Sequence, residues 1–150
     1  MKILLTGNPN VGKSVVFSYL TGYTAISSNY PGTTVDILSG KTKLAGIDLE
    51  VVDVPGVYSL DGESVAERVA GEIIKNGDYD LIINVLDANN LERNLFFAFE
   101  LIEIKKPMIF LVNKCDIAKN RGVNIDFKKL EELVGIKIIP VVATAGIGFD

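Results

Sequence analysis

The stretch Gly7-Asn8-Pro9-Asn10-Val11-Gly12-Lys13-Ser14 decides the reading of this chain, because it fits G-x-x-x-x-G-K-[ST] and stands between an apolar run and an amphipathic one. Lys2–Thr6 predicts a strand, and Lys13–Leu20, stopped at Gly22, predicts a helix. The glycines therefore fall in a strand-to-helix turn. Gly7 and Gly12 allow backbone N–H groups to face inward around phosphate oxygens, and the helix start adds its partial positive charge. Lys13 is placed to reach the β- and γ-phosphates of a nucleotide, and the Ser14 hydroxyl to bind Mg²⁺. Nucleotide contacts are expected from Asn8, Pro9, Asn10, Val11, Gly12, Lys13, Ser14 and Val15.

Outward from this loop, short apolar runs alternate with amphipathic segments, which predicts an α/β fold with a sheet covered on both faces. Further strands are expected at Val35–Leu44, Leu49–Val54, Leu81–Leu86, Met108–Val112 and Lys137–Val142. A turn at Ala45-Gly46 would make the first two an antiparallel hairpin. Further helices are expected at Val65–Lys75, behind the capping box Ser64-x-x-Glu67, and at Leu91–Glu103. A last helix begins near Asn124–Asp126 and places Phe127, Leu130, Leu133 and Val134 on one face before Gly135. In the third helix, Phe96, Phe97 and Phe99 are read as packing beneath the sheet with one ring exposed. The sum is a three-layer nucleotide-binding fold with a mixed six-stranded sheet and one antiparallel strand. No helix is expected after the last strand, so Ala143–Asp150 reads as an open end and the chain as a trimmed domain.

Composition narrows the chemistry. The chain has 150 residues, one domain's worth, and 48% of them are hydrophobic against 23% charged, the balance of a globular fold. Nineteen acids against fifteen bases give a net charge of −4, which argues against nucleic acid as a partner and confines phosphate binding to a local site. With no histidine there is no Ser-His-Asp triad and no imidazole base. The lone cysteine, Cys115, allows no internal disulfide, implies a reducing intracellular setting and reads as packing. No run approaches the ~18 apolar residues of a membrane span, so the chain is expected to be soluble.

Three more blocks complete the site. Asp53-Val54-Pro55-Gly56 ends an apolar strand, where open α/β sheets bind ligands. Asp53 is expected to hold Mg²⁺ through water, and the Gly56 N–H to meet the γ-phosphate. In Asn113-Lys114-Cys115-Asp116, the Asp116 carboxylate can accept from guanine's ring N–H and exocyclic amine, which adenine lacks. An adenine would strand that carboxylate at a cost of about 1–3 kcal/mol or more, which favours GTP over ATP. Lys114 would lay its stem on the base, and Asn113 would tie the loops together. Between helix and strand, Asn29-Tyr30-Pro31-Gly32-Thr33-Thr34 offers Thr34, or in its place Thr33, to complete the Mg²⁺ shell. Ala143-Thr144-Ala145-Gly146 is a candidate loop for the guanine carbonyl. Segments of about 24–36 and 53–66 would order on the triphosphate and relax after hydrolysis.

These blocks, in this order, resemble the Ras-like GTPase superfamily. GNPNVGKS, NYPGTTVD, VVDVPGVYSL, DANNLERNL and RGVNID together look like the cytosolic GTPase domain of the ferrous-iron transport protein B (FeoB) family. The resemblance implies GTP hydrolysis at the N-terminus of a polytopic inner-membrane protein that moves Fe²⁺. It also implies partners in the downstream helical and transmembrane domains, and leaves a homo-oligomer of the full-length protein open. Era-, Der- and MnmE-type GTPases of RNA or ribosome maturation are the alternative family. A nucleotide-gated binding module with negligible hydrolysis is the alternative class. Lys114 departs from the N-M-x-D selector common in FeoB. Val57 stands where Ras-like enzymes often carry a water-orienting glutamine, so hydrolysis would fall to Asn10, Lys13, Thr34 and Gly56. Asn10 matches the residue that helps bind K⁺ in FeoB- and MnmE-like relatives, which makes it a candidate K⁺ ligand here.

Overall fold

A computed structural model describes residues 1–150. In chain order the elements are β1 (Lys2–Gly7), α1 (Lys13–Thr21), β2 (Ile26–Asn29), β3 (Asp36–Leu44), β4 (Ile47–Asp53), α2 (Val65–Asn76), β5 (Leu81–Asp87), α3 (Leu91–Glu103), β6 (Met108–Asn113), α4 (Cys115–Asn120), α5 (Phe127–Val134) and β7 (Lys137–Pro140). They form one sheet in the order β2-β3-β4-β1-β5-β6-β7. Only β3 runs against its neighbours, as the turn chemistry demands: Ala45 and Gly46 both take positive φ, and Leu44 pairs with Ile47.

Period-two alternation sorts the strands' side chains into two cores. Leu4, Val52, Ile82 and Phe110 face one side, where Ala70 and Ile74 of α2 and Phe97, Ala98 and Leu101 of α3 cover them. Ile3, Leu5, Val51, Ile83 and Leu111 face the other, where Val16 and Phe17 of α1 cover them. On that second face Leu81, Ile109 and Ile139 are only half-buried. After β7 comes a single 3₁₀ turn, Ala143–Ala145, and Phe149 then folds back so that its ring lies 4.4 Å from that of Tyr19 on α1.

The chain starts at β1 in mid-sheet, builds to one edge through β2–β4, then crosses to the other side of β1 for β5–β7. The strand order reverses beside β1, which puts the phosphate loop at the topological switch point.

The sheet has seven strands, not the six expected. The extra one, β2, is an edge strand with all four residues exposed, held by backbone pairing to the start of β3. Its sequence Ile-Ser-Ser-Asn carries no alternation because neither of its faces is buried. Five α-helices stand where four were expected, since the selector block read as a loop opens the six-residue α4. The last strand stops at Pro140 rather than Val142, although Val141 N–H still donates to Val112 O at 2.8 Å. Two phenylalanine rings of α3, Phe96 and Phe99, are exposed rather than one, and only Phe97 is buried. The capping box holds as expected, with Glu67 N–H donating to Ser64 Oγ at 3.1 Å and Ser64 N–H to Glu67 Oε2 at 3.2 Å. No helix is long and apolar enough to cross a membrane.

Candidate functional site

The carboxyl ends of β1, β4, β5 and β6 converge on the loop Asn8–Gly12. Two residues there take left-handed backbone conformations, Asn10 at φ +67° and Gly12 at φ +88°. Asparagine tolerates that region, whereas Gly12 has a second reason: a Cβ would sit 2.3 Å from Asn113 Nδ2. Gly56 closes on the same loop from β4, where a Cβ would lie 3.4 Å from Pro9 Cα. Val57 N–H donates to Gly7 O at 3.3 Å. The Lys13 ammonium pairs with the Asp53 carboxylate, both side chains nearly buried.

Asn113, 4% exposed at the end of β6, is the hub of the block expected to select the base. Its Nδ2 donates to Val11 O at 3.1 Å and its Oδ1 accepts from Ala143 N–H at 2.9 Å. One amide thus joins the phosphate loop to the terminal 3₁₀ turn. Lys114, in the left-handed region at φ +62°, sends its ammonium to Asn10 O at 2.8 Å and Asp87 Oδ2 at 3.0 Å. Asp116 lies exposed in the first turn of α4, free of hydrogen bonds from other side chains. Thr144 and Ala145 are exposed beyond the buried Ala143. Gly146, at φ +67°, approaches Tyr19 so closely that a Cβ would stand 2.9 Å from its ring.

Asp87 was not legible as a site residue, although it ends an apolar strand just as Asp53 does. It is buried, and that burial works to raise its carboxyl. The Asn89 backbone N–H, the Lys114 ammonium and the Asn89 side chain outweigh this and hold it below the ordinary carboxylate range. Asn94 of α3 anchors the same corner by accepting from Asp87 N–H at 2.7 Å. Burial first, with the Asp116 carboxylate adding to it, pushes the Cys115 thiol up, and Sγ donates to Val112 O at 3.1 Å. A thiol held protonated in this way is a packing group.

The segment of about 24–36 contains β2 and the turn Tyr30–Val35, closed by Tyr30 N–H to Val35 O at 2.8 Å. Inside it the Thr33 hydroxyl donates to Tyr30 O and accepts from Val35 N–H. The Thr34 side chain is exposed and hydrogen-bonds to nothing in the protein. Both threonines line a cleft against Val65, Arg68 and Glu72 of α2 and do not hydrogen-bond to the phosphate loop. The other segment, about 53–66, buries Val57 and Leu60 in the core, so Val57 cannot orient a water molecule.

No three His, Cys, Asp or Glu side chains gather as a protein-only metal site. The oxygens at hand are the Ser14 hydroxyl and the Asp53 carboxylate, hard donors that fit Mg²⁺ when phosphate oxygens supply further ligands. The Asn10 side chain is exposed and carries an uncommitted amide oxygen, while its backbone carbonyl is occupied by Lys114.

The family described as ferrous iron transport protein B matches residues 1–150. The Fe(2+) transporter FeoB of Legionella pneumophila is 43% identical over 149 residues, which is 97% of this chain and 20% of that protein. The cytosolic domain of L. pneumophila FeoB superposes with a TM-score of 0.96 at 42% identity, covering 99% of this chain and 59% of that one. The cytosolic domain of T. maritima FeoB in its GMPPNP form does so at 0.95 and 36% identity, covering 99% and 59%. The chain therefore spans about a fifth of the length of the curated relative.

Proposed function

The chain belongs to the ferrous iron transport protein B family, and from that premise we propose that it binds GTP with Mg²⁺ and hydrolyses it slowly to GDP and phosphate. On this reading it is the GTPase domain of a longer protein. Segments 24–36 and 53–66 switch with the nucleotide and regulate Fe²⁺ passage through an attached domain in the inner membrane, with this domain on the cytoplasmic face. The observation that carries the reading is the Asn113 bridge from Val11 O to Ala143 N–H, which ties the glycine loop to the terminal turn, the two places where this reading puts the phosphates and the base. The GMPPNP form of the T. maritima relative supports a nucleoside triphosphate as the ligand.

Each residue's task follows from its place. The loop's N–H groups and the Lys13 ammonium take phosphate oxygens, exchanging the Asp53 contact for a stronger negative partner. Bound Mg²⁺, held by Ser14, Asp53 through water and Thr34 once its turn has swung over, would neutralise charge on the phosphates. Thr33 is the poorer choice, because its hydroxyl is committed within the turn. The Gly56 N–H is available to the γ-phosphate because no side chain keeps the loop away. Asp116 selects guanine, the Lys114 stem supports the ring, and Ala143, Thr144 and Ala145 border the base's carbonyl edge.

In hydrolysis a water oxygen bonds to the γ-phosphorus, the bond to the GDP oxygen breaks, and both protons of the water leave with the phosphate, which releases one to solvent at neutral pH. Neither histidine nor a glutamine at position 57 assists, so unaided turnover should be on the order of 10⁻³ s⁻¹ or slower. The free amide oxygen of Asn10 is the ligand this chain offers to K⁺, whose charge would do the work of an arginine finger. Phosphate release from GTP and ATP, each in KCl and in NaCl, tests both claims. Turnover of GTP alone and faster in KCl, with the potassium effect lost in Asn10→Ala, is the expected result. Equal use of ATP would refute the selector, and equal rates in both salts would refute the cation.

A further inference from the structure

Helix α3 lies outside the nucleotide site, yet it holds the segment that follows Gly56 at two points. The Ser59 hydroxyl donates to Glu100 Oε1 at 2.9 Å, and Leu60 N–H donates to Glu100 Oε2 at 3.2 Å. Two turns earlier on the same helix, the Arg93 guanidinium lies 4.9 Å from the centre of the Tyr58 ring. Arg93 and Glu100 are seven residues apart and therefore share a face, so they grip Tyr58-Ser59-Leu60 along its length. The other end of this stretch is already fixed, with Gly56 against Pro9 and Val57 N–H on Gly7 O. Leu60 is buried, and its carbonyl would lie 2.6 Å from a Cβ on Gly71 in the middle of α2, so the gripped stretch also packs closely on that helix.

We propose that Glu100, seconded by Arg93, is a positioning residue that presets the Gly56 N–H for a γ-phosphate and so tunes the chain's preference for GTP over GDP. The proposal rests on the GTPase reading. The physical reason is that Gly56 lies four residues from the anchored Leu60. A segment pinned at both ends loses little further entropy when the γ-phosphate arrives, whereas one freed at residues 58–60 must be ordered at that moment. A diphosphate does not reach Gly56 and should be indifferent to the grip. Half-buried and accepting two hydrogen bonds, the Glu100 carboxylate makes the charge-assisted kind of contact, so its loss should be felt. The exposed Phe96 sits between Arg93 and Glu100 on the same face.

The test is the affinity of the 150-residue chain for fluorescent GMPPNP and fluorescent GDP, in the wild type and in Glu100→Ala, Glu100→Gln, Arg93→Ala and the exposed control Glu103→Gln. Glu100→Ala should weaken GMPPNP about tenfold, equivalent to about 1.4 kcal/mol, and leave GDP within about twofold. Glu100→Gln, which keeps one acceptor, should fall between Glu100→Ala and wild type, and Glu103→Gln should match wild type. An equal loss for both nucleotides would mark Glu100 as merely structural and overturn the proposal, as would no loss for either. A wild-type chain that bound neither nucleotide would instead bring down the GTPase reading itself, a result distinct from both.

Discussion

Replacing Asn113 by alanine should cost this domain about 2–4 kcal/mol of stability even with no nucleotide present. The side chain is 4% exposed, and its amide satisfies two buried backbone groups, Val11 O at 3.1 Å and Ala143 N–H at 2.9 Å. Each group left without a partner costs about 1–3 kcal/mol, so the pair together would cost about 2–6. The vacated space is lined by the same two polar groups, and a water that entered it could bond to both, which trims the upper end. For a domain of this size a loss of 2–4 kcal/mol corresponds to a drop in Tm on the order of 10 °C. Urea titration and calorimetry at neutral pH measure it directly. Asn113→Asp separates the two bonds, since it keeps the acceptor for Ala143 and turns an oxygen against Val11 O. A loss below about 0.5 kcal/mol in Asn113→Ala, with GDP affinity intact, would refute the idea that this amide joins the two halves of the site.

Other consequences follow from single contacts. Asp87→Asn should weaken nucleotide binding by releasing Lys114, measured by titration with fluorescent GDP. The Asp87 carboxyl is held below its unfolded value near 3.9, so its contribution is complete above about pH 4 and fades as pH falls through the lowered value. Below pH 4 the wild type should therefore lose stability more steeply than Asp87→Asn. Phe97→Ala, which empties a fully buried site beneath β5, should cost about 3–5 kcal/mol in urea without changing the ratio of GTP to GDP affinity. Cys115 should alkylate more slowly than a free thiol at pH 7.5, and speed up only at a pH above the usual thiol range, because burial keeps it protonated.

The sequence showed the elements with strong periodicity or signed ends, and it missed those held by backbone alone. α3 was expected at Leu91–Glu103 and is found there, because its apolar spacing and its burial coincide. β2 has one apolar side chain, itself exposed, so nothing in its residues announces the pairing with β3. α4 hid behind the selector because Asn-Lys-Cys-Asp reads equally as a loop. In the site, the sequence pointed to Asn113 as a tie but not to its partners, since Val11 O and Ala143 N–H are backbone atoms without a residue signature. Asp87 and Glu100 were invisible for the opposite reason. A carboxylate at a strand end or on a helix reads as a solvated charge until the fold shows which donors surround it.

On the GTPase reading Asp116 chooses guanine, and competition binding measures that choice. Fluorescent GDP bound to the wild-type chain should be displaced by GTP at least about a hundredfold more readily than by ATP, and Asp116→Asn should transfer that preference to xanthosine triphosphate. Equal displacement by GTP and ATP, or a variant that still prefers GTP, would contradict it.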